Sequence, residues 1–156
     1  MRTRSISEPS SRGFTATIFV VSGLLGRESA WDPPPRRELV TEDDLRRLTD
    51  DGHEVGSHGD SHAPLAGLEP GALAREVAGS RTALGRLLDV PPRSFCYPYG
   101  AVDAAAVRAV AGAGYLYACA VQRPAGPPNP LAMPRIGIAE TDGTLRFAAR
   151  LALRGR

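Results

Sequence analysis

Two histidines stand four positions apart in the short segment His58-Gly59-Asp60-Ser61-His62. A neutral imidazole is a good ligand for zinc and for other late first-row metals. If the segment turns helically, positions i and i+4 face the same side, and both rings can bind one cation. His53 lies nearby, so all three histidines of the chain fall within ten positions. Two interpretations remain open at this point, a shared metal site and a pair of surface histidines.

A metal site of this kind needs more than two imidazoles, and the additional ligand is normally a carboxylate. Asp60 could be a ligand, a general base or a loop residue that faces solvent. The interpretation that Asp60 faces solvent is favoured, because position i+2 of a helical turn points away from i and i+4. His53-Glu54 invites comparison with the zinc-protease motif H-E-x-x-H, but the next histidine is one position too far and Gly56 interrupts the segment. We therefore expect His53 to be structural.

The elements around the histidine pair alternate between strands and helices. Apolar and β-branched runs predict strands at Ala16–Val21, His53–Ser57, Ser94–Tyr97, Tyr115–Val121 and Arg135–Ile138. Helical spacing predicts helices that begin near Thr41, Pro70, Asp103 and Thr144. This order predicts an α/β fold with a mostly parallel sheet. Functional residues of such sheets lie where strands end, and His58, His62 and Tyr99 all follow predicted strands.

Local signals fix several of the element boundaries. Thr41 can cap the first helix, with Asp44 as the reciprocal third residue of a capping box, and Gly52 ends it. Asp103 can cap the third helix. The second helix carries one apolar face at helical spacing, formed by Leu73, Val77, Leu84 and Leu88. Between the first strand and the first helix, Ser22–Arg37 contains three consecutive prolines and is predicted to be a loop.

The composition indicates one ordinary globular domain. The chain has 156 residues, and its net charge of +2 is too small, with arginines too dispersed, to indicate a nucleic-acid partner. The apolar stretch Ile18–Leu25 is far shorter than the ~20 residues of a membrane span. Cys96 and Cys119 lie in apolar strands and are expected to be buried free thiols rather than a bridge.

The first residues differ in character from the rest. Met1–Gly13 is polar and aperiodic, so residues 1–13 are expected to be a disordered or irregular lead-in and residues 14–156 the domain. This lead-in has no apolar core of a secretory signal. The sequence as given therefore predicts a cytoplasmic protein, or an exported one if its true start lies upstream.

Several ordered segments resemble the polysaccharide deacetylases, the family with the NodB-homology domain. Gly52–His62 resembles the second motif of that family. Phe95–Gly100, which reads Phe-Cys-Tyr-Pro-Tyr-Gly, resembles its third motif in the subgroup with Phe-x-Tyr-Pro-Tyr-Gly. Further landmarks are similar at Ala16–Val20, Ala113–Tyr115 and Met133–Ile136. The resemblance extends over nearly the whole chain from Gly13 onward.

The resemblance implies a deformed (β/α) barrel and a divalent metal, usually zinc, that is held by one Asp and two His. A second Asp acts as the base in removing acetyl groups from acetylated oligo- or polysaccharides. His58 and His62 would be the metal ligands, and the backbone N–H of Tyr99 would help to hold the oxyanion. Tyr97 and Tyr99 would line the sugar groove, with packing in the core or at the rim as the alternative. Arg135 could contact substrate or form a surface salt bridge.

The sequence also departs from the family pattern. The first motif, Thr-Phe-Asp-Asp-Gly, which supplies the metal-binding and base Asp, does not occur, and neither does the late Leu-x-His acid. Cys96 stands where many members have an Arg. We therefore expect an incomplete barrel that lacks its first strand, an incomplete metal site and little activity, unless Asp60 or Asp32 replaces the missing Asp. The alternatives are an inactive truncated fragment or a carbohydrate- or metal-binding pseudoenzyme. O-deacetylation by the same machinery is not separable from N-deacetylation.

Overall fold

The computed structural model describes residues 13–121, 127–138 and 141–154. The lead-in expected at residues 1–13 lies outside these ranges except for Gly13. The strands are β1 (Thr17–Val20), β2 (Glu54–Ser57), β3 (Ser94–Cys96), β4 (Tyr117–Ala120) and β5 (Met133–Pro134). The helices are α1 (Glu42–Asp50), α2 (Pro70–Ala74), α3 (Ser80–Leu88), α4 (Ala104–Gly112) and α5 (Thr144–Arg154). A π-helical turn, Arg75–Gly79, joins α2 to α3.

The five strands form one parallel sheet in the order β1-β2-β3-β4-β5. Parallel neighbours need a crossover, and helices supply it between β1 and β2, β2 and β3, and β3 and β4. The sheet does not close on itself within the described residues. The predicted α/β fold with a parallel sheet is thus confirmed, and the carboxyl ends of all five strands lie at one edge. None of the described helices is both long and apolar enough to cross a membrane.

The helices cover one face of the sheet, and the apolar side chains between them form two clusters. One surrounds Phe95 and Tyr97 and includes Leu73 and Val77. The other includes Leu84, and Leu88 packs against it. The single apolar face predicted for residues 70–88 is therefore divided, because the π-helical turn adds a residue to the helical repeat and rotates α3 relative to α2. The remaining members of the first cluster are Leu65, Ala106, Val110, Tyr115, Ala118 and Ala120.

The boundary signals of the sequence are largely confirmed. Thr41 and Asp44 form the predicted reciprocal capping box of α1, and the Asp103 side chain accepts from Ala106 N at the start of α4. The strand predicted at Arg135–Ile138 is wrong. Strand β5 is the earlier pair Met133–Pro134, and Arg135 follows it with its backbone N–H bonded to the Ala120 carbonyl.

Both cysteines are free, as the sequence predicts. Cys96 is fully buried and Cys119 is half-buried. They are direct partners in the register of β3 and β4. Burial raises the pKa of the Cys96 thiol to about 11, so this thiol stays protonated and unreactive near neutral pH.

On the other face of the sheet, the Glu54 carboxylate links neighbouring strands by hydrogen bonds. It accepts hydrogen bonds from the Ser94 hydroxyl (2.7 Å), the Thr17 hydroxyl (2.8 Å) and the Tyr117 hydroxyl. These residues lie on β1, β3 and β4, so one side chain on β2 links four strands. Burial raises the pKa of Glu54, but the hydrogen bonds from Tyr117, Ser94 and Thr17 outweigh it and leave the pKa below its ordinary value of 4.5.

Replacement of Glu54 by Gln should make the fold less stable and less sensitive to acid. The amide has one acceptor oxygen in place of two, and we expect a loss of about 1 kcal/mol in the free energy of unfolding at pH 7. Because the folded-state pKa is depressed below 4.5, the stability contributed by the ionised carboxylate is present above pH 4.5 and is lost as the pH falls from 4.5 through the folded-state pKa. In Glu54→Gln that contribution is absent, so urea denaturation between pH 7 and pH 3 should give a shallower dependence of stability on pH.

The exposed Glu28 provides the matched control, and Glu28→Gln should change the free energy of unfolding by less than about 0.5 kcal/mol. An unchanged stability and an unchanged acid dependence in Glu54→Gln would show that the network does not support the sheet.

Candidate functional site

The loop after β2 carries the histidine pair at the carboxyl edge of the sheet. Backbone pairing to the segment after β1 continues beyond the strands, through His58 N to Val20 O (2.8 Å) and Ser22 N to Gly59 O (3.0 Å). The loop is not the helical turn considered from the sequence, because Gly59 (φ 84°) and His62 (φ 65°) are left-handed. The two imidazoles nevertheless meet, with ring centroids 4.9 Å apart and planes inclined by 71°.

His58 is oriented by a hydrogen bond to the main chain of β3. Its Nδ1 lies 2.6 Å from the carbonyl oxygen of Cys96. A carbonyl can only accept, so Nδ1 carries the proton and the lone pair of the neutral ring is on Nε2. Burial lowers the pKa of His58 to about 4, which the Cys96 hydrogen bond opposes and the charges of His62 and Arg135 reinforce. The ring is therefore neutral near pH 7 and able to bind a cation.

His62 is held in a different way, by aromatic rings. The Trp31 indole stacks on it with centroids 3.8 Å apart and planes inclined by 20°, and Tyr99 meets it edge-on at 4.7 Å. Its Nδ1 is buried and has no hydrogen-bond partner in the part of the chain that the structure describes. Burial lowers the pKa of His62, and the carboxylates of Asp32 and Glu76 oppose that shift.

This pair of rings fits two positions of a metal site. Two imidazoles bound to one tetrahedral ion through nitrogens at ~2.0–2.1 Å have centroids roughly 5 Å apart, which agrees with the observed separation. A buried imidazole nitrogen without a partner is costly, and a bound cation would satisfy it. Among the described residues, however, no three His, Cys, Asp or Glu side chains come together as a possible metal-binding group. The structure thus places two candidate ligands and no third.

The two carboxylates considered as replacements for the missing ligand each accept a hydrogen bond from a serine. Asp60 accepts from the Ser22 hydroxyl at 2.7 Å, and Asp32 accepts from the Ser29 hydroxyl at 2.7 Å. Asp60 is half-buried and ties its loop to the segment after β1, so the expectation that it merely faces solvent is corrected. Asp32 lies close enough to His62 to oppose the fall in its pKa.

A buried carboxylate in the π-helical turn fixes the histidine loop. Glu76 Oε2 accepts from the backbone N–H groups of Asp60 (2.9 Å) and Ser61 (3.0 Å), and Oε1 accepts from the Ser61 hydroxyl. A Cβ at position 59 would lie 2.8 Å from Oε2, which together with the positive φ requires Gly59. Glu76 is 7% exposed, so these bonds form away from water.

The segment between β1 and α1 is a loop, as the sequence predicts, apart from a 3-10 turn at Ser22–Leu24, and its residues 27–39 are paired as an antiparallel ribbon. Glu28 and Glu38 form an antiparallel bridge. Ser29 N donates to Arg37 O at 2.8 Å, and Leu39 N donates to Arg27 O at 2.8 Å. The tip of this 27–39 ribbon carries Trp31 and Asp32 to the histidine pair.

The remaining residues predicted for the site have separate locations. Tyr99 is 60% exposed and stands beside His62 in a left-handed turn (φ 56°) after β3. Tyr97 is fully buried in the first apolar cluster, and its hydroxyl donates to the Leu131 carbonyl at 2.8 Å. Its side chain therefore packs in the core and offers no surface to a sugar.

Arg135 is exposed, and its charge acts on His58 and on both cysteines. His53 is structural, because its Nδ1 accepts from Ala16 N.

Sequence reasoning missed Glu76 and Trp31. Glu76 could have been noticed as an acidic residue beside the apolar positions Leu73 and Val77. Trp31 is the only tryptophan of the chain and follows a strand predicted to end near the site. No sequence spacing, however, indicates that it contacts a histidine 31 positions later.

Comparisons with known proteins agree with the fold. The family model for polysaccharide deacetylase matches residues 10–118. A chitin deacetylase from Pestalotiopsis sp is 35% identical over 106 residues, which span 68% of this chain and 32% of that protein. The chain thus spans about a third of this curated relative.

Solved structures of low sequence identity share the fold. The Streptococcus pyogenes deacetylase PplD in complex with acetate aligns with a TM-score of 0.76 and 18% identity, over 91% of this chain and 61% of that one. A polysaccharide deacetylase from Bacillus cereus aligns with a TM-score of 0.70 and 22% identity, over 88% of this chain and 42% of that one.

Replacement of Glu76 by Ala should destabilise the histidine loop. Two buried backbone N–H groups and the Ser61 hydroxyl would lose their acceptor, at a cost of about 2–3 kcal/mol in the free energy of unfolding measured with urea. Glu69→Ala is the matched control, because Glu69 is exposed and makes no capping hydrogen bond at the start of α2. Equal stabilities of the two variants would contradict the role assigned to Glu76.

Proposed function

The chain belongs to the polysaccharide deacetylase family, and from that premise we propose that it hydrolyses acetyl groups from N-acetylated sugars with the help of a divalent metal. The observation that carries the proposal is the pair of neutral imidazoles, His58 and His62, with centroids 4.9 Å apart at the carboxyl edge of the sheet. Catalytic groups of parallel α/β sheets are expected at that edge.

The proposed metal is zinc, held by His58 and His62. Nitrogen ligands suit zinc, and both rings have pKa values lowered by burial, which keeps them unprotonated at neutral pH. When bound, such a cation polarises an acetamide carbonyl and makes water more acidic. The hydrogen bond from His58 Nδ1 to the Cys96 carbonyl directs the opposite nitrogen of the ring towards the cation.

Tyr99 and Arg135 are the residues at the carboxyl edge of the sheet that we propose to contact the substrate. The backbone N–H of Tyr99 is the proposed donor to the oxyanion, because a preorganised N–H stabilises charge that develops in the transition state. The exposed Tyr99 ring offers a face to a sugar. Arg135 contributes positive charge next to His58 and is the proposed contact for electron-rich oxygens of the substrate. Tyr97 takes no part in binding, since it is buried.

A second candidate function is binding without hydrolysis. The described residues provide no third metal ligand and no carboxylate base on the histidine pair, and general-base assistance contributes typically 10²–10⁴-fold to such reactions. A chain with only the two imidazoles would retain weak metal affinity and bind acetylated sugars with little turnover. Removal of O-acetyl groups would use the same residues and is separated from N-deacetylation by the choice of substrate.

Zinc binding should depend on two of the three histidines. In calorimetric titrations, His58→Ala and His62→Ala should each weaken zinc affinity by at least about tenfold, because each removes a direct ligand. His53→Gln is the matched control and should bind zinc as the wild type does, provided that circular dichroism shows it to be folded. Zinc affinity that is unchanged in both His58→Ala and His62→Ala would refute the proposed metal site.

Acetate release from chitooligosaccharides and from acetylated xylan then separates the functions. Zinc-dependent turnover of chitooligosaccharides that is lost in His58→Ala supports N-deacetylation. Turnover of acetylated xylan alone indicates O-deacetylation. Zinc binding with no acetate release from either substrate supports the non-catalytic alternative.

A further inference from the structure

The two histidines of the site are restrained by different kinds of interaction. His58 has a hydrogen bond from Nδ1 to the Cys96 carbonyl, which is how metal-binding histidines are usually oriented. His62 Nδ1, the nitrogen that a bound cation would satisfy, has no hydrogen-bond partner among the described residues, so this atom does not orient the ring before an ion binds. Something else must fix the orientation of the His62 ring, since free rotation about χ2 would swing its nitrogens away from a shared ion.

The contact that covers the His62 ring is the Trp31 indole. The two rings are stacked with centroids 3.8 Å apart, whereas His58 and Tyr99 meet His62 only at an edge, at 4.9 Å and 4.7 Å. A stacked face restricts rotation about χ2 more than an edge contact does, because any rotation of the smaller ring drives its atoms into the indole. Tyr99 is 60% exposed and is therefore less firmly held than a packed side chain.

The backbone of His62 makes such a restraint necessary. His62 has a φ of 65°, a left-handed conformation that is unfavourable for a residue with a side chain. A strained residue persists only if its surroundings hold it in place. Its loop is anchored two residues earlier and one residue earlier, by the hydrogen bonds of Asp60 and Ser61 to Glu76. The side chain itself has the stacking contact with Trp31.

The 27–39 ribbon is built so that Trp31 has a fixed position. Ser29 is 1% exposed; its hydroxyl donates to Asp32 at 2.7 Å and accepts from Arg37 N at 3.1 Å. These bonds close the ribbon on both sides of position 31. Trp31 itself is half-buried, so its removal exposes little core surface and leaves the backbone bonds of the ribbon in place.

We propose that Trp31 is a positioning residue, which holds the His62 imidazole in the orientation that binds the metal. This inference rests on the proposed function and deepens it, because it assigns to the 27–39 ribbon the task that a hydrogen bond performs for His58. Trp31 makes no bond to the metal and acts through His62 alone.

The test measures metal affinity rather than turnover, in the full-length chain. Cobalt(II) serves as the probe, because its visible absorption reports the geometry of the site as well as its occupancy. Trp31→Ala should weaken cobalt affinity about 10–100-fold, the usual effect of losing the group that orients a ligand, and should alter the absorption band. Trp31→Phe retains a flat ring over His62 and should recover most of the affinity.

Two variants serve as references. Arg36→Ala changes an exposed residue of the same ribbon and should bind cobalt as the wild type does. Trp31→Leu keeps apolar volume without a flat ring, so it tests stacking if Trp31→Ala fails to fold; it should bind more weakly than Trp31→Phe. Wild-type affinity and spectrum in Trp31→Leu would overturn the proposal.

The outcome also separates this inference from the proposed function. If His62→Ala loses cobalt while Trp31→Ala and Trp31→Leu keep wild-type affinity, the positioning role is wrong and the metal site stands. If His62→Ala keeps wild-type affinity, the metal site and the positioning role both fail. Loss in His62→Ala and Trp31→Ala, with recovery in Trp31→Phe, supports both.

Discussion

The position of the histidine loop depends on one buried carboxylate. Glu76 accepts three hydrogen bonds from Asp60 and Ser61, which stand between the two histidines in the chain. Its own location depends on the π-helical turn that joins α2 to α3, because that turn puts an acidic residue on the helical face that packs against the sheet. A carboxylate on this face would be unfavourable in the core. Here it is satisfied by a loop whose backbone would otherwise lack partners.

The site that results is assembled from three connections of the sheet. The loop after β2 brings His58 and His62, the turn after β3 brings Tyr99, and the ribbon after β1 brings Trp31. Parallel strands place all three at one edge, so Trp31 and Tyr99, which are distant in the chain, meet the His62 ring at centroid distances of 3.8 and 4.7 Å. The Glu54 network links the strands elsewhere on the sheet and takes no part in the site.

Short-range patterns in the sequence predicted the elements but not the contacts between them. The Thr41–Asp44 capping box and the Asp103 cap were predictable because both are made within three residues. The histidine pair was predictable as a pair, although the helical turn assumed for it is replaced by a loop with two left-handed residues. The π-helical turn, the hydrogen bonds from the histidine loop to Glu76 and the stacking of Trp31 on His62 were not predictable. Each depends on a partner whose distance along the chain carries no periodic signal. Strand β5 was misplaced since its residues, Met133 and Pro134, carry no β-branched pattern.

Diffraction from zinc-soaked crystals tests whether His58 and His62 together bind one metal ion. Anomalous differences recorded at the zinc absorption edge locate the ion without reference to the protein phases. We expect one strong peak about 2.0–2.1 Å from a ring nitrogen of His58 and from a ring nitrogen of His62. A zinc peak elsewhere on the chain, with either imidazole beyond bonding distance, would show that the two histidines do not share an ion.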